Sequence, residues 1–142
     1  GSVTAFVVTS YMGGVPMLYN GQEVGCPKQL SFFHPTSPKI DWSNNPEMKS
    51  EYKKIIAGRK NNEAVTSGAL TTYTGNSDVI AFTRSITGEQ VLVIANVRSS
   101  GVNYQLPDAI SNTTWTNVMT ESEFQLGETL SLEGYEYFIL KK

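Results

Sequence analysis

Residues 79–96 read VIAFTRSITGEQVLVIAN, two runs rich in β-branched side chains separated by a short polar break. Thr87-Gly88 lies at that break, and a glycine in a two-residue connection is typical of a tight hairpin. The pattern therefore predicts two antiparallel strands, Val79–Ile86 and Gln90–Val97.

Short alternating segments with turn residues between them continue on both sides of this hairpin, from Gly68 to the end of the chain. Seven strands in such an arrangement predict an antiparallel β-sandwich, so the expected fold class is mainly β. The acidic pair Glu121 and Glu123 is expected in an exposed loop or edge. The remaining predicted strands are Ala69–Tyr73, Val102–Leu106, Thr114–Met119, Thr129–Leu132 and Tyr135–Leu140.

The front half of the chain has a different character. Val3–Met12 is apolar, with a spacing that leaves helix and strand both open. After Gly13-Gly14, the apolar run Val15–Tyr19 predicts a short strand of the kind that a parallel sheet buries on both faces. Residues 26–45 contain three prolines and predict a long loop.

One clear helix is expected in this half. Asn45 is placed to cap it, Pro46 suits its first position, and Asn61-Asn62 ends it. The apolar side chains from Met48 to Ile56 recur on one face of that helix.

Composition excludes several classes of function. The chain has 142 residues, 39% of them hydrophobic, and its 11 basic and 13 acidic residues give a net charge of −2. A nucleic-acid partner is not expected, because phosphate binding needs a clustered basic face. Nor is a membrane partner, because no apolar run approaches the roughly 20 residues that a span requires. With one histidine, His34, and one cysteine, Cys26, neither a metal site nor a cofactor is predicted.

Segments in both halves of the chain together carry a resemblance to a known family. Residues 14–25, GVPMLYNGQEVG, resemble the eighth-strand signature of the alpha-amylase family of glycoside hydrolases. Ile40-Asp41-Trp42 resembles the segment before the last barrel helix of that family. Residues 51–60 resemble that helix, although Gly58 stands where the family more often has Leu, a change expected to weaken it locally. Residues 79–84 and 91–96 resemble the first central strands of the family's C-terminal sandwich, and residues 135–140 are similar to its last strand.

The resemblance implies two domains. Residues 1–66 would be the end of a (β/α)8 catalytic barrel, comprising the end of its seventh helix, its eighth strand and its eighth helix. Residues 67–142 would be the C-terminal all-β sandwich and, by themselves, the stable unit. The apolar front half would then lack its barrel neighbours, and would expose Val15, Met17, Leu18, Ile55 and Ile56.

The resemblance also implies a function. Family members are retaining enzymes that cleave α-glucosidic bonds with two aspartates and a glutamate, all of which precede the eighth strand. This chain is therefore expected to be a non-catalytic C-terminal piece of an α-glucan hydrolase, without catalytic residues, that covers or stabilises the barrel. Its expected partners are that catalytic barrel, an α-glucan through the parent enzyme, and a second copy through the orphaned barrel segment. A free-standing carbohydrate-binding module is the alternative.

Tyr19, Gln22 and Glu23 are the candidate site residues, because they follow a barrel strand at the end that delivers side chains to the active face. They either contact substrate at the rim of the intact barrel, or satisfy backbone groups of their own loop. Aromatic residues could also form a sugar platform, with Tyr135 and Tyr137 on one face of the last strand. The other interpretation is core packing or an interface with the barrel. The aromatic candidates are Trp42, Tyr73, Tyr104, Trp115, Tyr135 and Tyr137.

Overall fold

The computed structural model describes residues 1–30 and 39–142, so that His34 and the middle of the predicted loop lie outside the described residues. In these described residues, three α-helices and a 3₁₀ turn precede eight strands. In the described ranges no helix has the length and hydropathy needed to cross a membrane. The elements are α1 (Ser2–Met12), the 3₁₀ turn (Gln22–Val24), α2 (Pro46–Lys60), α3 (Glu63–Ser67), β1 (Ala69–Tyr73), β2 (Val79–Ile86), β3 (Glu89–Asn96), β4 (Val102–Gln105), β5 (Thr114–Asn117), β6 (Glu123–Gln125), β7 (Thr129–Leu132) and β8 (Tyr137–Lys141).

The strands form two antiparallel sheets, which confirms the predicted sandwich. The larger sheet has the order β1-β2-β3-β8-β5-β6, and β4 pairs with β7 in the smaller one. The predicted hairpin is also confirmed: Ile86 pairs with Glu89, which leaves Thr87-Gly88 as a two-residue loop, with Gly88 at φ 87°.

The hydrophobic core lies on both faces of the large sheet. In β3, Val91, Val93 and Ala95 pack with the helices on one face, while Leu92 and Ile94 pack toward the small sheet on the other. The continuous apolar sequence of this strand thus reflects a central position with two buried faces. The molecule has three layers: helices, the six-stranded sheet and the two-stranded sheet.

One strand was missed and one was misplaced. β6 was not predicted, because three residues are too few to show a period of two. Glu123 is exposed in this edge strand and Glu121 is exposed before it, as expected of the acidic pair. The last strand begins at Tyr137 rather than Tyr135, because Tyr135 has φ 61°, a left-handed conformation that a strand does not admit. Tyr135 and Tyr137 therefore do not share a strand face.

The predicted strand Val15–Tyr19 does not form. No regular structure is assigned to it, and within the described residues no other segment pairs with it. A strand needs a neighbour to satisfy its backbone N–H and C=O groups, and a lone parallel-type segment has none.

The rest of the front half packs against the large sheet. The ambiguous segment Val3–Met12 is a helix, and Phe6, Val7 and Tyr11 of α1 join one core cluster with Phe82 of the sheet. Ile55, which was expected to be exposed, is fully buried in the same cluster. The predicted domain boundary after residue 66 falls inside α3, and the division into two domains stays a prediction.

One detail of α2 differs from expectation, and a second has an explanation in the packing. Asn45 has φ 44° and makes no side-chain cap; its Nδ2 instead donates 2.8 Å to the carbonyl oxygen of Val24. Gly58 does not interrupt the helix. A Cβ there would lie 2.4 Å from Val118 Cγ1 and 2.7 Å from the hydroxyl of Tyr11, so the glycine allows close packing of α2 on the turn after β5.

Candidate functional site

The apolar segment Val15–Tyr19 alternates in exposure. Val15, Met17 and Tyr19 are 94%, 77% and 53% exposed, whereas Pro16 and Leu18 are half-buried. We call Val15, Met17 and Tyr19 the exposed row. A period of two is the side-chain pattern of a strand, so this segment presents one face to solvent and one to the protein although it has no paired neighbour.

Two arginines fix the start of this segment. Nη2 of Arg59, in the last turn of α2, donates 2.6 Å to the carbonyl oxygen of Gly14. Nη1 of Arg84, in β2, donates 3.2 Å to the carbonyl oxygen of Met12 at the end of α1. The backbone just before the exposed row is therefore bound to both the helical layer and the sheet.

A tight turn ends the segment. The N–H of Gln22 donates 2.9 Å to the carbonyl oxygen of Tyr19. Gly21 has φ 89°, which suits glycine, and a Cβ there would lie 3.0 Å from Cys26 Cβ and 3.2 Å from Ile40 Cδ1. The glycine in the Asn20-Gly21 pair is thus needed for both its backbone conformation and its contacts.

The three candidate site residues lie on this turn. Gln22 Oε1 accepts 3.2 Å from the N–H of Tyr19, and its Nε2 donates 3.0 Å to the hydroxyl of Tyr52 in α2. Glu23 Oε2 accepts 3.1 Å from the N–H of Gly21. These bonds are those expected if the pair satisfies its own loop. Contact of Tyr19, Gln22 or Glu23 with a substrate stays a prediction.

The segment that precedes α2 packs against the same turn. Nδ2 of Asn44 donates 3.1 Å to the carbonyl oxygen of Val24, which also accepts from Asn45. The Ser43 hydroxyl donates 2.6 Å to Asp41 Oδ1, and this bond together with the Ser43 backbone N–H lowers the pKa of the Asp41 carboxyl. Trp42 is 49% exposed beside them. Asn44 and Asn45 thus join the segment before α2 to the turn that ends residues 14–25.

Three of the six aromatic candidates are packed rather than displayed. Trp115 and Tyr104 are buried, and the indole Nε1 of Trp115 donates 2.7 Å to Thr113 Oγ1. Tyr137 is half-buried and bonds to Glu51. Core packing is therefore the correct interpretation for these three. Among the described residues, no cluster of three or more His, Cys, Asp or Glu side chains could hold a metal ion.

The sequence did not predict the hydrogen bonds that join α2 to α1 and to the turn after β5. The hydroxyl of Tyr11 donates 2.9 Å to the carbonyl oxygen of Ile55, and burial raises the pKa of Tyr11 although the nearby Arg59 charge lowers it. Lys54 Nζ donates 3.3 Å to the carbonyl oxygen of Met119. The tyrosine at the end of the apolar run was the available signal, since a buried tyrosine requires a hydroxyl partner.

Comparison with known proteins agrees with the resemblance to the alpha-amylase family. Residues 71–139 match the family described as Maltogenic Amylase, C-terminal domain. An oligo-1,6-glucosidase of Bacillus cereus is 32% identical over 93 residues, which are 63% of this chain and 17% of that protein. Both matches support the assignment of this chain to the C-terminal part of the alpha-amylase family.

Other alpha-amylase family members support the same assignment. Alpha-amylase 2 of Dictyoglomus thermophilum is 26% identical over 121 residues, 75% of this chain and 21% of that enzyme. The crystal structure of the alpha-amylase from Geobacillus thermoleovorans with acarbose superposes with a TM-score of 0.78, at 18% identity, over 99% of this chain and 32% of that one. This chain spans about a fifth of the length of the curated relatives it matches.

Proposed function

We propose that this chain is the non-catalytic C-terminal part of an enzyme that hydrolyses α-glucosidic bonds in starch-like glucans, and that it stabilises the catalytic barrel. The observation that carries the proposal is the exposed row of Val15, Met17 and Tyr19. Large apolar side chains that follow a strand-like period on an unpaired segment are typical of a binding interface. A neighbouring strand would bury these side chains and would also form hydrogen bonds with the backbone N–H and C=O groups of the segment.

Burial of the exposed row by another part of the enzyme is energetically favourable. Full burial of a side chain such as valine or methionine stabilises a structure by roughly 1.5–3 kcal/mol. Arg59 already holds Gly14, so a neighbouring strand meets a segment that is fixed at one end. The catalytic barrel is the partner that suits this segment, because the resemblance of residues 14–25 is to the last strand of such a barrel. A second copy of the chain is the alternative partner for the same row.

Tyr19, Gln22 and Glu23 take the role of rim residues in this proposal. The active face of a (β/α)8 barrel lies at the carboxyl ends of its strands, and these residues follow the segment that resembles the eighth strand. The bonds of Gln22 to Tyr52 and of Glu23 to Gly21 would hold the two side chains in place beside a bound glucan. They assist substrate contact and carry no chemical step.

Catalysis is assigned to the preceding part of the enzyme. A retaining glycosidase needs two carboxyl groups roughly 5–5.5 Å apart, one of them protonated. The family places its catalytic carboxylates on barrel strands before the eighth. A free-standing carbohydrate-binding module is less well supported, because Trp115 and Tyr104 are buried in the core rather than displayed.

The first test is activity of the chain alone. Purified chain is incubated with starch and with maltooligosaccharides, and reducing ends are measured against a mock purification from the same host. We expect no release above the mock. Release that co-elutes with the chain through two different columns would overturn the assignment as non-catalytic.

The second test concerns the barrel. The preceding part of the parent enzyme is expressed as a separate chain, and its binding to this chain is measured by calorimetry. Met17→Lys should weaken binding at least about tenfold, which corresponds to about 1.4 kcal/mol, because the lysine would be buried. Thr129→Lys, on an exposed position of β7, is the matched control. Equal binding by both variants would contradict the proposed interface.

A further inference from the structure

β1 is an edge strand of the large sheet as far as the structure describes the chain. It is the first strand of the six-stranded sheet, its residues from Ala69 to Thr72 are exposed, and within the described residues no strand lies beyond it. Residues 64–77 contain neither a charged residue nor a proline. Charges and prolines are the usual features that prevent edge strands from pairing with other chains, and here both are missing.

The hydrogen bonds of β3 determine which backbone groups of β1 point outward. Gln90 exchanges both backbone bonds with Lys142, on the β8 side, and the N–H of Val97 donates to Asp78, on the β2 side. The backbone N–H and C=O groups of successive residues in a strand point alternately to its two neighbours. The backbone groups of Val91, Val93 and Ala95 therefore bond to β2.

The same alternation extends to β1 through the observed registers. The partners of those β3 residues are Arg84, Phe82 and Ile80, so Ala81, Thr83 and Ser85 bond toward β1. They pair with Tyr73, Thr71 and Ala69. The backbone N–H and C=O groups of Leu70 and Thr72 therefore point away from the sheet.

We propose that a second copy of this chain pairs with β1 in an antiparallel arrangement about a two-fold axis at Thr71. In this register Leu70 of each copy faces Thr72 of the other, and all four outward N–H groups meet all four outward C=O groups. Thr71 faces its own equivalent across the axis as a non-hydrogen-bonded pair. The two six-stranded sheets become one continuous sheet of twelve strands.

The chemistry of the edge favours a second copy over a different protein. A two-fold contact sets the edge against itself, so a charge close to the axis would meet the like charge of the other copy. The nearest charged residues along the chain are Glu63 and Asp78, both outside β1. Leu70, 43% exposed, shares a sheet face with Thr72, and these two side chains would pack across the new pair.

The test is the mass of the full chain in solution. Sedimentation equilibrium is measured at several concentrations up to about 1 mM, because a contact of this small area is expected to be weak. We expect a concentration-dependent rise from the 15.6 kDa monomer toward twice that mass. A strictly monomeric chain across the range would overturn the proposal.

Three variants locate the contact. Thr71→Lys should raise the dissociation constant at least tenfold, because two lysines would meet at the axis. Thr114→Lys, an exposed threonine on the internal strand β5, should leave it unchanged. A dimer that survives Thr71→Lys but is lost in Met17→Lys would show that the exposed row is responsible, and would refute pairing through β1.

Cross-linking tests the register independently of charge. In a Cys26→Ser background, Thr71→Cys should form an intermolecular disulfide, because Cα atoms in a non-hydrogen-bonded pair lie about 4.5 Å apart, within disulfide range. Thr74→Cys should not, since its equivalent would be about 20 Å away at roughly 3.3 Å per residue. Equal cross-linking of both variants would refute the register.

Discussion

The hydroxyl of Tyr137 donates a hydrogen bond of 2.5 Å to Oε1 of Glu51, across 86 positions of the sequence. Tyr137 lies in β8 and Glu51 in α2, so this bond joins the helical layer to the last strand. Burial raises the pKa of Tyr137, and the bond and charge of Glu51 raise it further. The helices that resemble the end of a barrel are thus tied to the sandwich by specific polar contacts in addition to apolar packing.

Tyr137→Phe should lower the free energy of unfolding by about 1–3 kcal/mol, because it leaves a half-buried carboxylate without this donor. Tyr135→Phe is the matched control, since that ring is 42% exposed and lies outside the strand. Urea denaturation measures both variants. A midpoint shift of the same size in the two would mean that the Glu51 contact adds no stability.

Stability should fall at alkaline pH. The pKa values of Tyr11 and Tyr137 are raised in the folded protein above the ordinary value of 10. A group with a raised folded pKa stabilises the protein fully below its unfolded pKa, and this contribution is lost as pH rises above about 10. Each tyrosine then lowers the free energy of unfolding by up to about 1.4 kcal/mol per pH unit.

Denaturation midpoints between about pH 8 and pH 11 measure this dependence. Tyr11→Phe and Tyr137→Phe should each show a shallower loss of stability above pH 10 than the unchanged chain. Tyr19→Phe, at an exposed position, should retain the full slope. Identical slopes in all four proteins would rule out the two buried hydroxyls as the cause.

Gly58→Ala should destabilise the chain by about 1–3 kcal/mol through overpacking, despite a gain of about 1 kcal/mol in helix propensity. The added Cβ would collide with Val118 Cγ1 and the Tyr11 hydroxyl. Val118→Ala makes room for it, so the double variant should lose less than the sum of the two single losses. Additive losses would show that the two side chains do not compete for space.

The sheet was largely predictable because its signals are local. The hairpin from Val79 to Asn96 combines β-branched side chains, a period of two and a Gly turn, and the structure gives the bounds of β1, β2 and β7 as predicted. The last strand was misjudged by two residues, since nothing in the sequence reveals the left-handed backbone of Tyr135.

The site was less predictable because its contacts join distant positions. The motif of residues 14–25 located the turn, but the interaction of Arg59 with Gly14, 45 positions away, follows only from the fold. Val15–Tyr19 has the side-chain pattern of a strand but does not form one. A strand also needs a neighbouring strand to pair with, and the residues of the segment itself do not reveal whether one is present. Gly58 appeared to be a weakness of α2 because its packing partner, Val118, lies in the other half of the chain.

Hydrogen exchange should separate these segments. Amides of Val91–Ala95 have strand neighbours on both sides, β2 and β8, so they should exchange only through global unfolding. Tyr137–Leu140 should be similarly slow. Amides of Val15, Met17 and Leu18 should exchange rapidly, because no strand in the part of the chain that the structure describes pairs with them.

The amides of Leu70 and Thr72 provide the sharpest readout, because they point outward from β1 whereas those of Thr71 and Tyr73 bond to β2. In dilute monomer, Leu70 and Thr72 should exchange much faster than Thr71. As concentration rises, pairing with a second copy should slow them selectively, while Val15 and Met17 remain fast. Slowing of Val15 and Met17 instead would mean that the chain associates through the exposed row. Protection of Leu70 and Thr72 already at the lowest concentration would mean that the alternation derived for β1 is reversed.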